Sequence, residues 1–139
     1  MDLSYALTPL AAWLAAGAIK FCINSLKARR LAFDLIGYGG LPSNHSAIVS
    51  SIAALVAFKE GIDHPAFGVS IALAMVVMFD ANSLRRQVGR QAALLNQLTA
   101  TQGRSAQLRE RMGHSRLEIG AGIVVGIAVA AAMQGLPGR

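Results

Sequence analysis

The chain has 139 residues, 54% of them hydrophobic and only 14% charged, and its mean hydropathy is +0.48. A soluble domain of this size carries about 25% charged residues, so the composition excludes an ordinary soluble globule. Lys and Arg number 13 against 7 Asp and Glu, for a net charge of +6. So apolar a chain, with only 6% aromatics, lacks the wet surface and stacking platform that nucleic acid needs. No nucleic-acid partner is expected, and basic character with high hydropathy points to a membrane protein whose cations gather on one side.

The first apolar run extends from about Leu3 to Leu26 and contains Trp13 and one charge, Lys20. Its start, Met1-Asp2-Leu3, lacks the basic beginning of a secretory signal, so a retained helix is expected. The second run, from Ser43 to Phe58, and the third, from Pro65 to Phe79, are each about 15 residues, short of the ~20 that a spanning helix uses. They cross a bilayer only with their flanks or where it thins. The competing reading is a buried helical hairpin in a soluble protein. The fourth run extends from about Leu117 to Leu136.

Between the third and fourth runs lies a polar stretch from Asp80 to Arg116. Its Leu84, Val88, Leu95 and Leu98 stand at helical spacing and predict an amphipathic interfacial helix. Thr99 to Ser105 reads as a break, and Gln107 to Met112 as one more short helical turn. The lone Cys22 allows no intrachain disulfide. The expected fold class is all-α: a multi-pass membrane helical bundle with about four transmembrane helices and this interfacial helix, in one domain covering 1–139.

Four crossings sort the cations. Lys20, Lys27, Arg29, Arg30, Arg85, Arg86, Arg90, Arg104, Arg109, Arg111 and Arg116 fall at one face, and Lys59 and Arg139 at the other. Eleven against two predicts that the cation-rich face is cytoplasmic, in the inner (plasma) membrane.

Three segments carry candidate chemistry, all on that face. In Gly39-Gly40-Leu41-Pro42-Ser43-Asn44-His45-Ser46, glycines allow close backbone approach and a helix start offers unpaired N–H groups to an anion. His45 is placed to donate a proton to a leaving oxygen. The competing reading is a loop, a Ser43 helix cap and an incidental histidine. In the second segment, Asp80…Arg85-Arg86…Gly89…Ala92…Asn96, Arg85, Gly89, Ala92 and Asn96 share a helical face, and an Arg fork suits phosphate oxygens. The alternative is a basic helix attracted to anionic lipid. Asp80, at the end of an apolar helix, is read as functional or as paired with an Arg.

The third segment is Gly113-His114-Ser115-Arg116-Leu117-Glu118. One helical turn brings the carboxylate of Glu118 to the imidazole of His114, which fixes the tautomer and leaves the other nitrogen free to attack. Ser115-x-x-Glu118 also reads as a capping box, and the two readings are compatible. Gly122-x-x-x-Gly126 is a close-packing surface between helices and makes a homo-oligomer an open expectation. His64, on the far face, is given no catalytic role.

Together the three motifs, in this order, resemble the acid phosphatase/vanadium-dependent haloperoxidase-related family, a divergent branch of the type 2 phosphatidic acid phosphatases. The resemblance covers nearly the whole chain. It implies a phosphohistidine reaction with no metal required: His114 as nucleophile, Glu118 as its orienting acid and His45 as general acid. It also implies that Ser43 and nearby N–H groups hold phosphate oxygens, with Lys20 as the first-motif lysine; Gly40, Arg85, Arg86, Asp80 and Asn96 complete the expected substrate-binding set. Departures are visible: Lys27 rather than Arg-Pro follows Lys20, Asn44 replaces a Gly, Leu108 stands where the third motif has Arg, and Glu118 replaces Asp. Arg85 or Arg86 is expected to supply the missing charge.

The expected function is therefore an integral membrane phosphatase acting on phosphatidate, phosphatidylglycerol phosphate or a polyprenyl phosphate or diphosphate. No cofactor or metal ligand set is predicted, with Mg2+ left open. The alternative is a non-enzymatic membrane protein that binds or transports phospholipid or anionic headgroups.

Overall fold

The structure, a computed structural model, describes residues 2–31, 33, 40–101, 108–110 and 112–135. These form α1 (Ser4–Ala28), α2 (Asn44–Lys59), α3 (Pro65–Phe79), a π-helical turn (Asp80–Leu84), α4 (Arg85–Thr101) and α5 (Arg116–Met133), with no strand among the described residues. Gly39, Arg104, Arg111, Arg139 and the expected end of the fourth run at Leu136 lie outside the described residues.

Local chemistry sets the helix ends. α1 stops where Arg29 turns left-handed (φ 51°), its N–H and that of Arg30 bonding back to Leu26 and Ser25. Ser43 caps α2, its side chain accepting from the Ser46 N–H. Pro65 occupies the first turn of α3, where a missing N–H costs nothing, and His64 caps that helix through Nδ1, which accepts the Ala66 N–H at 3.2 Å. The predicted capping box opens α5, with Ser115 and Glu118 each bonding the other's backbone N–H.

α3, the π turn and α4 form one helical run of 36 residues, Pro65–Ala100. At 1.5 Å per residue it is about 54 Å long, well beyond a hydrocarbon core of about 30 Å. The shortness of the third apolar run is therefore no obstacle to crossing, because no loop follows it. The break expected from Thr99 does not begin there, since α4 continues to Thr101; residues 102–105 lie outside the described residues. The short helical turn expected over 107–112 is also corrected: 108–110 and 112 are not helical. Leu108 gives both backbone groups to the side chain of Asn96, its carbonyl accepting from Nδ2 and its N–H donating to Oδ1, each at 2.9 Å.

α2 lies at the centre and packs against α1, α3 and α5. The interfaces are built from small residues: Ala12, Ala16 and Ala47 are fully buried, with Val125 and Val129 against them. On α5, a Cβ at Gly122 would come within 2.4 Å of the Ser43 carbonyl oxygen, and one at Gly126 within 2.5 Å of the Ala47 carbonyl oxygen. Small residues let helix backbones approach this closely where lipid supplies no hydrophobic drive. The Gly122/Gly126 stripe is thus consumed within the chain, against α2, and lends no support to self-association.

Large apolar side chains point outward instead. Val69, Leu73 and Val76 on α3 are 71%, 52% and 66% exposed, which overturns the alternative of a buried hairpin in a soluble protein. Three helices, Ser4–Ala28, Pro65–Ala100 and Arg116–Met133, are long and apolar enough to cross a membrane. The molecule is a membrane helical bundle with the shorter α2 in its middle.

The two ends of the bundle differ. At one, Lys59 Nζ lies 2.8 Å from Asp2 Oδ2 and 2.8 Å from Ser4 Oγ, and the Tyr5 hydroxyl donates to Glu60. The Lys59 ammonium holds the Asp2 carboxyl well below the usual carboxylate range. The other end carries the start of α2, the π turn and the start of α5, so the three candidate motifs converge there.

Candidate active site

The π turn builds half of the site. In an α-helix Asp80 would face residues three and four further on; the wider turn instead aligns it with Arg85, five residues on, whose Nε is 3.1 Å from Asp80 Oδ2. The same guanidinium reaches across to α2, with one terminal nitrogen 3.5 Å from His45 Nε2. A guanidinium only donates, so His45 Nε2 is the acceptor here.

The π turn also anchors the second histidine. The carbonyl of Ala81 accepts the backbone N–H of His114 at 2.9 Å. Just before it, Gly113 has φ +92°, and a Cβ there would come within 2.7 Å of Arg86 Cγ. Only glycine lets the chain return this close to the helix in that conformation. Further along α4, a Cβ on Gly89 would meet the Glu110 carbonyl oxygen at 2.3 Å. The room that Gly89 provides on this face is filled by the returning chain, not held open beside a guanidinium.

His114 is 7% exposed. Its Nδ1 lies 3.2 Å from Glu118 Oε2, and the same oxygen accepts the Ser115 N–H at 2.8 Å. A carboxylate accepts only, so Nδ1 carries the proton and Nε2 keeps its lone pair in the neutral ring. The rings of His45 and His114 stand 6.3 Å apart between centroids. Lys20, half-buried on α1, is near enough for its charge to act on both Glu118 and His45.

His45, Asp80, Arg85, His114, Glu118 and Lys20 are thus brought together. Four of the expected substrate-binding residues stand differently. Ser43 is fully buried; its hydroxyl accepts from Ser46, and its N–H donates to the Glu118 carbonyl at 2.8 Å. It caps α2 and ties it to α5, which is the role the structure gives it. Asn96 spends its amide on Leu108 and on Glu110 Oε1, 2.8 Å from Nδ2. It sits eleven residues beyond Arg85, about 16 Å along the helix, and fastens the return segment. Gly40, at φ 141°, faces Asn24 of α1 and shapes the approach to α2. Arg86 is exposed and lies along Gly113.

Sequence reading missed the π turn and the role of the Ala81 carbonyl. The available signal was the opposite charges of Asp80 and Arg85, five residues apart where α spacing would place them on different faces. Among the described residues no three His, Cys, Asp or Glu side chains converge as a metal site.

Residues 2–129 match the family described as the divergent PAP2 family. The chain belongs to the divergent PAP2 family. A relative within reach is an uncharacterized membrane protein, YuiD, of Bacillus subtilis (strain 168), 34% identical over 138 residues and matched over 87% of each chain. No solved structure matches the chain.

Proposed function

We propose that this chain is a membrane phosphatase that hydrolyses a phosphate monoester or diphosphate of a lipid, using His114 as nucleophile. The observation that carries this reading is the 3.2 Å contact between His114 Nδ1 and Glu118. It orients the ring and leaves Nε2 available, while membership of the divergent PAP2 family supplies the reaction class.

In the proposed reaction His114 Nε2 attacks phosphorus, and the bond between phosphorus and the lipid oxygen breaks as the N–P bond forms. Glu118 stabilises the positive charge that develops on the ring. Arg85 and Lys20 neutralise the phosphate oxygens, aided by the helix-start N–H groups of Asn44 and His45. As the guanidinium turns to phosphate, His45 is released from it and, in its protonated form, gives its proton to the leaving oxygen. Water then attacks the phosphohistidine, His45 takes a proton from it, and inorganic phosphate leaves. The scheme uses no metal, and Mg2+ remains a variable to test.

The charge bias of the sequence supports a cytoplasmic site in the plasma membrane. The substrates favoured are then inner-leaflet lipids: phosphatidate, phosphatidylglycerol phosphate or a polyprenyl phosphate or diphosphate. The direct test is to trap the intermediate by quenching the purified protein with a lipid bearing labelled phosphate. The reading expects an acid-labile, alkali-stable label on His114; label on a carboxylate, or none during active turnover, would overturn the histidine mechanism.

A further inference from the structure

The described residues between Leu108 and His114 run back along α4, and their contacts with the helical run fall in order along it. Asn96 takes the far end. Its Nδ2 donates to the Leu108 carbonyl at 2.9 Å and to Glu110 Oε1 at 2.8 Å, and its Oδ1 accepts the Leu108 N–H at 2.9 Å. Gly89 then lets the Glu110 carbonyl oxygen lie where a Cβ would stand 2.3 Å away. Gly113 lies on Arg86, and the His114 N–H closes the line on the Ala81 carbonyl at 2.9 Å.

Both hydrogens of the Asn96 amide and its oxygen are spent on this segment. A side-chain amide offers a donor and an acceptor side by side, so Asn96 pairs with both backbone groups of Leu108 as a neighbouring strand would. Fifteen residues separate Asn96 from Ala81, about 22 Å of helix. The six steps from Leu108 to His114 reach about 21 Å at most. The Asn96 side chain leans toward the helix start, which brings the two anchors within that reach and leaves little slack. A release at Asn96 is therefore felt at His114.

We propose that Asn96 is a positioning residue for His114: by clamping Leu108 and Glu110 to α4 it holds the segment that carries the imidazole, and so sets the gap between the His45 and His114 rings. That gap, 6.3 Å between centroids, is where a phosphate would be attacked. The inference rests on the reading of His114 as nucleophile and adds what holds it from outside the site. Glu118 orients the ring from the first turn of α5; the clamp fixes where the ring stands relative to His45 on α2. The polar α4, whose main contacts are with the π turn and not with the packed helices, serves as the splint of this segment.

The test compares the full-length wild type in detergent with Asn96→Ala, Gly89→Ala and a control, Gln97→Ala, at the next and exposed position. Alanine favours helix over asparagine and glycine, so α4 itself survives each change. One readout is kcat and KM for phosphate release from the lipid phosphate turned over fastest. The other is the rate at which diethyl pyrocarbonate modifies each histidine, mapped by mass spectrometry, with His64 at the far end as reference. Asn96→Ala should lower kcat at least about tenfold with KM within about twofold. It should also speed modification of the buried His114 severalfold and leave His64 unchanged. Gly89→Ala, which pushes the Glu110 carbonyl off α4, should do the same and keeps the test open should Asn96→Ala fold poorly. Gln97→Ala should move neither readout. In a folded variant, an unchanged kcat, a loss carried by KM (the mark of direct substrate contact), or unchanged His114 modification would overturn the proposal. Should the wild type release no phosphate, the phosphatase reading fails and His114 modification alone decides this one. Release by the wild type with Asn96→Ala indifferent in both readouts defeats this proposal alone.

Discussion

One carboxylate oxygen of Glu118 serves both His114 and the start of α5: it lies 3.2 Å from the imidazole Nδ1 and 2.8 Å from the Ser115 N–H. Helix capping and histidine orientation are therefore one interaction. The helix start is fixed by the group that fixes the ring, so the free ring nitrogen of His114 is aimed by the bundle itself.

Glu118→Gln separates these roles, because an amide oxygen still accepts both hydrogen bonds but carries no charge. Phosphate release is expected to fall on the order of 10²-fold, with thermal stability nearly unchanged. Glu118→Ala should lose the same activity and about 1 kcal/mol of stability besides, the worth of a cap. Steady-state rates and melting in detergent distinguish the two.

Arg85 holds Asp80 at 3.1 Å and reaches His45 at 3.5 Å with one guanidinium. Lysine has no fork to make both contacts. Arg85→Lys and Arg85→Ala should therefore both lower kcat/KM by about 10²-fold. Arg86→Ala, at an exposed neighbour, should change it severalfold at most. Equal losses at the two positions would show that charge alone is being read.

Close helix packing gives a stability test independent of chemistry. Gly122→Ala puts a methyl group within 2.4 Å of the Ser43 carbonyl oxygen, and such overpacking costs about 1–3 kcal/mol. Gly68→Ala meets nothing within 4 Å and should be neutral or slightly stabilising. Ser43 sits between α2 and the start of α5, so Gly122→Ala should also weaken activity by displacing Glu118.

The four apolar runs and the Ser115–Glu118 capping box were legible because each rests on local chemistry: helix length, spacing and caps. The convergence of His45, Arg85 and His114 was legible too, since an even number of crossings brings their segments to one face. The π turn was not, because periodicity arguments assume 3.6 residues per turn and a single inserted residue leaves no trace in hydropathy. For Ser43 the sequence left a ligand contact and a helix cap both open, and the fold shows the cap, with the Ser46 N–H on its side chain. Asn96 gave no such warning: side chains of its type bond backbone as readily as ligands, and the fold puts its amide on Leu108.

Topology supplies a further check. On a Cys22→Ser background, cysteines at Ile62 and at exposed Gln97 lie toward opposite ends of the bundle. An impermeant thiol reagent should label Ile62→Cys in intact cells and Gln97→Cys only after permeabilisation. The reverse pattern would move the site to the outer face and change the accessible substrates.

The central claim is tested most directly by phosphate release from lipid phosphates, using detergent-purified wild-type protein and His114→Ala, each with and without chelator. The account predicts release by the wild type that survives chelator and falls on the order of 10³-fold or more in His114→Ala. Release that persists in folded His114→Ala would contradict the assignment of the nucleophile, and no release from any lipid phosphate would contradict the phosphatase reading itself.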